Sequence, residues 1–145
     1  MQYMWADTLY AAERAHVLRL TIWGGAGLLI GSALVATLRA GRQRSALLEH
    51  FGVQTAVWGA VELGIALVRY QSLAFRDLAA ATRLDRLLWL NIGLDVGFVL
   101  TGITLVALGW RPVRRLGLVG AGIAVVLQGT ALMLLDLVLA GQISR

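Results

Sequence analysis

The chain has 145 residues, 59% of them hydrophobic and only 14% charged, with a mean hydropathy of +0.75. A soluble domain carries about 45–50% apolar and about 25% charged residues, so a water-soluble core of this size could not hide so much apolar surface, and lipid is the natural solvent. The net charge of +5 rests on arginine alone and there is no cysteine, which excludes thiol, disulfide and cysteine–metal chemistry; the arginines lie in short segments between apolar runs, the placement of headgroup anchors rather than of a nucleic-acid surface.

The chain opens with an amphipathic segment over residues 7–19 that carries Glu13, Arg14 and Arg19. Asp7 or Thr8 is a candidate cap for a helix that runs on into the first apolar stretch, residues 20–38. Acidic residues before the apolar run, and no cleavage site after it, do not fit a secretory signal peptide. Gly24, Gly25 and Gly27 lie inside this stretch, where they read as a packing face rather than a phosphate loop, and Gly27 and Gly31 form a small-xxx-small pair.

The second stretch, residues 53–70, is the shortest and contains Trp58 and Glu62. Residues 71–86 alternate Leu with Arg and Asp, the pattern of an interfacial helix or of an extension of the third stretch. That third stretch, residues 87–110, holds Asn91 and Asp95, with Gly93 and Gly97 as a second small-xxx-small face. The fourth, residues 116–140, holds Gln128 and Asp136. Each stretch is close to the roughly 20 residues that cross about 30 Å of hydrocarbon. The expected fold is all-α: a transmembrane four-helix bundle with an amphipathic N-terminal extension, in a single membrane domain. Trp5, Trp89 and Trp110 fit interfacial belts.

Four spans put both termini and residues 71–86 on one side, here side A, and the other two connections on side B. Side B carries Arg39, Arg42, Arg44, Arg111, Arg114 and Arg115; side A carries the other seven arginines. The side B loops are shorter and denser in arginine, which assigns residues 39–50 and 111–115 to the cytoplasm and the protein to the cell's inner membrane. The near-even count also admits insertion in both orientations and an antiparallel homodimer; a single orientation is the plainer reading.

The informative residues are those that do not belong in lipid. A charge at mid-membrane costs about 3 kcal/mol on insertion scales, so such groups face the bundle interior, a partner or water. Asn91 and Asp95 are one turn apart, as are Trp58 and Glu62, and Gln128 and Asp136 are two turns apart. Trp23 and Gly27 repeat the spacing in the first span, a hint of internal duplication. By depth, Glu62, Asn91, Asp95, Gln128 and Asp136 converge on a pocket in the side A half, with Trp23 and Trp58 as aromatic lining and Arg14, Arg19, Arg69, Arg83 and Arg86 around its mouth. The alternative is that Asp95 and Asp136 pair with Arg19, Arg83 or Arg86 while Asn91 and Gln128 bond across helices. His16 and His50 fall at opposite edges and cannot share a metal or a haem.

The run Asn91-Ile92-Gly93-Leu94-Asp95-Val96-Gly97-Phe98 resembles a motif of an uncharacterised family of small bacterial four-span membrane proteins. That family carries an Asn-x-Gly-Leu-Asp-Val-Gly-aromatic run in its third span and Gln-Gly-x-x-Leu followed by Asp in its fourth; Gln128, Gly129, Leu132 and Asp136 stand in those places. Its second span has Trp, then Asn one turn on, then Leu-Gly-Ile-Ala. Trp58, Leu63, Gly64, Ile65 and Ala66 match, while Glu62 replaces the Asn. The resemblance covers roughly residues 50–140 and implies four spans and a polar interior, with no activity attached. If Asn serves at the position of Glu62, an essential proton carrier there is less expected.

Two functions compete. One is a small transporter or channel-like protein that uses Glu62, Asp95 and Asp136 for a cation, a proton or a cationic solute. The other is a non-catalytic accessory subunit in which the polar residues specify helix packing. An enzyme ranks last, because no nucleophile with a positioned base and no metal-ligand set is legible. No cofactor is expected; the partners are the bilayer and, in the dual-orientation reading, a second copy.

Overall fold

The computed structural model describes residues 2–42, 44–111 and 114–143, with side chains from Ala6 onward. Trp5, as an interfacial side chain, and Arg145, as a side A charge, lie outside what is described.

Four helices follow one another: α1 (Gln2–Ala40), α2 (Ala46–Gln71), α3 (Leu78–Trp110) and α4 (Leu116–Ile143). All four are long and apolar enough to cross a membrane, with window hydropathies from 1.5 to 2.2. Their outward faces carry large apolar side chains, among them Leu29, Ile30, Leu100 and Ile103, each more than half exposed. Such a surface suits hydrocarbon, and helices satisfy their own backbone polar groups there.

α1 has 39 residues and is longer than a bilayer core requires. It starts at Gln2, so Asp7 and Thr8 lie inside the helix rather than at its N-terminus. The segment over residues 7–19 runs on into the first span within α1, as expected. Leu9, Glu13, His16, Val17 and Leu20 recur at helical spacing and are all buried in the bundle. The connection between α2 and α3 is short, and residues 78–86 extend α3 rather than forming their own interfacial helix. Asp77 caps α3 by accepting from Ala80 N at 2.7 Å, and Ser45 caps α2 by accepting from Leu48 N.

The packing order is not the chain order. α1 packs on α2 and α3 on α4, while α4 also packs on α2 and α1. Among the described residues α3 has no backbone-level contact with α1 or α2. α4 is therefore the spine of the bundle, and α2 and α3 flank a cleft.

Glycines set the close contacts. A Cβ added at Gly31 would meet Ala56 N and Gly52 O at 2.5 Å, and one at Gly59 would meet Leu28 N. These glycines weld α1 to α2. Gly102 and Gly122 do the same for α3 and α4, where a Cβ on either would meet the other's carbonyl oxygen at 2.8 or 2.6 Å. Gly93 and Gly97 do not form the packing face their spacing suggests: both point into open space.

Candidate functional site

The polar side chains of the membrane interior fall into three groups. The first is a charged cluster near the side A end. On α1, His16 is 1% exposed and its Nδ1 donates to Leu135 O of α4 at 3.2 Å. A carbonyl can only accept, so Nδ1 holds the ring proton in this contact and Nε2 is left as acceptor. Arg69 of α2 donates from Nη1 to that Nε2 at 3.0 Å. Asp136 of α4 lies 3.3 Å from the same Nε2 and 3.9 Å from the guanidinium of Arg69, and the side-chain amide of Asn91 donates to its carboxylate. Four helices thus meet at one carboxylate. Arg19, Arg83 and Arg86 are exposed and among the described residues none pairs with Asp136, so the expected pairing with one of them is corrected to Arg69.

Just beyond, Arg76 of the α2–α3 connection grips Glu13 of α1 with two parallel bonds, Nε to Oε1 at 2.6 Å and Nη2 to Oε2 at 2.8 Å. This fork ties the connection to α1, and the carboxylate makes the Arg76 proton harder still to remove.

The second group is a pair. Trp23 of α1 donates from Nε1 to Gln128 Oε1 of α4 at 2.6 Å. Depth along the helices predicts both as lining of a pocket with the acids; instead they face each other between α1 and α4. Gly27 makes room, since a Cβ there would sit 3.3 Å from the Gln128 amide nitrogen.

The third group is unpartnered. Glu62 is fully buried, packs its Cβ against Gly24 of α1, and among the described residues has no hydrogen-bond partner for either carboxylate oxygen. Trp58, one turn earlier, turns to the other flank of α2 and meets Phe98 of α3 edge-on at 4.9 Å. Asp95 of α3 is 5% exposed and its Oδ2 likewise lacks a hydrogen-bond partner among the described residues. Burying a polar oxygen without a hydrogen bond costs about 1–3 kcal/mol, so these two carboxyl groups stand out from the satisfied ones.

Two cavities reach this region. A cleft of about 440 Å³ between α2 and α3 is floored by Leu132 and Asp136 of α4 and walled by Trp58, Asn91, Asp95 and Phe98. A smaller cavity of about 220 Å³ lies at the side A end, beside Glu13, His16 and Arg76. Both are lined by Arg69 and Asn91, which stand where they adjoin. Of the seven residues expected at the site, Trp58, Asn91, Asp95 and Asp136 line the cleft, whereas Glu62, Gln128 and Trp23 do not. His16 and Phe98 belong to the assembly although sequence reasoning placed neither there, and Arg69, expected at the mouth, stands inside it. His16 continues the buried stripe of Leu9, Glu13 and Leu20, which is the signal that could have found it. Among the described residues no three His, Asp or Glu side chains converge as a metal-ligand set.

One family model matches residues 19–137, and its description is a family of unknown function (DUF6992). No curated protein and no solved structure matches the chain.

Proposed function

We propose, for a chain that belongs to a family of unknown function (DUF6992) and inherits no activity from it, that the cleft between α2 and α3 binds an apolar organic cation at Asp95 and serves its passage through the membrane. The observation that carries this reading is the buried, unpartnered Oδ2 of Asp95 in a cleft of about 440 Å³. Charge pairing supports it. Asp136 is matched by Arg69, and among the described residues no salt bridge reaches Asp95, the other acidic group of the cleft. Arg69 and Asn91 stand at the end where the cleft adjoins the smaller cavity, and the rest of the wall, with Val61, Ile65, Leu94, Trp58 and Phe98, is apolar and aromatic; aromatic rings attract cations. α2 and α3 lack backbone-level packing and are bridged here by Trp58 and Phe98, so the cleft beside that ring pair gives an amphiphile a way in from the bilayer.

The protein would sit in the inner membrane with the arginine-dense loops, residues 39–50 and 111–115, in the cytoplasm. Uptake of tetraphenylphosphonium into proteoliposomes tests the function. Wild-type protein should drive uptake above empty liposomes, and Asp95→Asn should abolish the difference; uptake that survives the substitution contradicts the reading.

A second reading has its own support. The Trp23–Gln128 bond and the His16–Arg69–Asp136 cluster are inter-helix contacts of the kind that specify packing. In that reading the chain is an accessory subunit. Asp95→Asn would then lower recovery of a partner or thermal stability, and no cation flux would exist to be lost.

A further inference from the structure

On the far flank of α1 from the acidic cleft, a groove of about 850 Å³ runs between α1 and α2. Its volume falls within the roughly 300–1,000 Å³ typical of ligand sites. The groove has two unlike ends. Toward side A it is lined by Tyr10, Arg14 and Tyr70, and deeper in it is lined by Leu18, Leu63 and Leu67. The glycine welds explain the shape. α1 and α2 are pressed together from Gly31 and Gly52 to Gly24 and Gly59, and the groove opens on the side A side of that contact.

The polar end has spare positive charge. Glu13, the acid next to Arg14, is spent on Arg76. Among the described residues Arg14 has no ion-pair partner, and the hydroxyls of Tyr10 and Tyr70 hold no hydrogen bond. Tyr10 is fixed from behind by stacking on Phe75 at 4.9 Å. An unneutralised guanidinium flanked by two phenols at headgroup level, above a slot lined by leucines, matches one chemistry: a phosphate ester with acyl chains.

We propose that this groove is a binding site for an anionic phospholipid, its headgroup phosphate at Arg14 and the tyrosine hydroxyls and one acyl chain along Leu18, Leu63 and Leu67. The site shares no lining residue with the cleft at Asp95, so it stands or falls independently of the transport reading.

The test titrates detergent-solubilised protein with phosphatidylglycerol and with phosphatidylcholine and reads bound lipid by native mass spectrometry. Wild-type protein should prefer phosphatidylglycerol. Arg14→Gln should weaken phosphatidylglycerol binding about fivefold, the weight of one basic residue against an anionic lipid surface. Ala15→Phe, which fills the groove wall, should weaken both lipids at this site. Arg39→Gln removes the same charge at the other end of the bundle and should leave binding unchanged. Equal binding of the two lipids by wild-type protein, no effect of either Arg14→Gln or Ala15→Phe, or an equal loss with Arg39→Gln, overturns the proposal.

Discussion

Nε2 of His16, near the start of the chain, lies 3.3 Å from Oδ1 of Asp136, near its end, and shares that carboxylate with Arg69. The contact closes the side A end of the bundle by joining α1, α2 and α4. It also means that the acid expected to greet a ligand is already engaged by the protein itself. Removing one member should therefore cost more than removing two. Truncating one partner of a buried ion pair typically costs about 3–5 kcal/mol, and the partial exposure of Arg69 reduces this to about 2 kcal/mol for Arg69→Gln. Combining it with Asp136→Asn should restore part of the loss. Unfolding in a titration with denaturing detergent measures both; an additive double substitution would contradict the pairing.

The bond from Trp23 to Gln128 is a shorter, neutral tie between α1 and α4. Cross-helix hydrogen bonds in membranes are worth about 0.6–2 kcal/mol. A double-mutant cycle with Trp23→Phe and Gln128→Leu should return a coupling of about 1 kcal/mol, with cation uptake retained in each single variant that folds. A coupling indistinguishable from zero would mean that the two side chains do not meet.

Glycine substitutions should divide cleanly by location. At Gly59 an added Cβ meets backbone atoms of α1, which cannot swing aside. Gly59→Ala should therefore destabilise by about 1–3 kcal/mol, the usual cost of overpacking. Gly93→Ala and Gly97→Ala meet open space and should be neutral or slightly stabilising, because Ala favours helix over Gly by about 1 kcal/mol. Thermal unfolding of the three variants checks the ranking, and a destabilising Gly93→Ala would place a neighbour on that face.

The Glu13–Arg76 fork should hold the α2–α3 connection in place. Glu13→Gln removes the charge and weakens both bonds. Hydrogen exchange over residues 72–77 should rise, while exchange at the glycine weld between α1 and α2 should not. Unchanged exchange in the connection would show that packing alone orders it.

The sequence carries the four helices plainly, because an apolar run of about 20 residues has few other uses. It carries less of their arrangement. Small-xxx-small spacing marks Gly27–Gly31 and Gly93–Gly97 alike, yet only the first faces a neighbour, since spacing fixes a face of one helix and says nothing about what lies opposite. The same limit explains Glu62 and Trp58: one turn apart, they sit on different flanks of α2 because α1 covers one and α3 the other. His16 and Arg69 look like edge anchors in the sequence. They become interior groups because α1 continues past the apolar run, which buries His16, and because α4 brings Asp136 to the same level. That α4, not chain neighbours, forms the spine has no local signal at all.

Equilibrium binding of tetraphenylphosphonium to the purified protein tests the role of Asp95 most directly. The wild-type protein should bind it saturably. Asp95→Asn should weaken binding about tenfold, the order expected for one ionic contact a few ångströms long at intermediate dielectric, and Gln128→Leu, away from the cleft, should not. Saturable binding that is equally strong in Asp95→Asn, or no binding by the wild-type protein, would contradict the account.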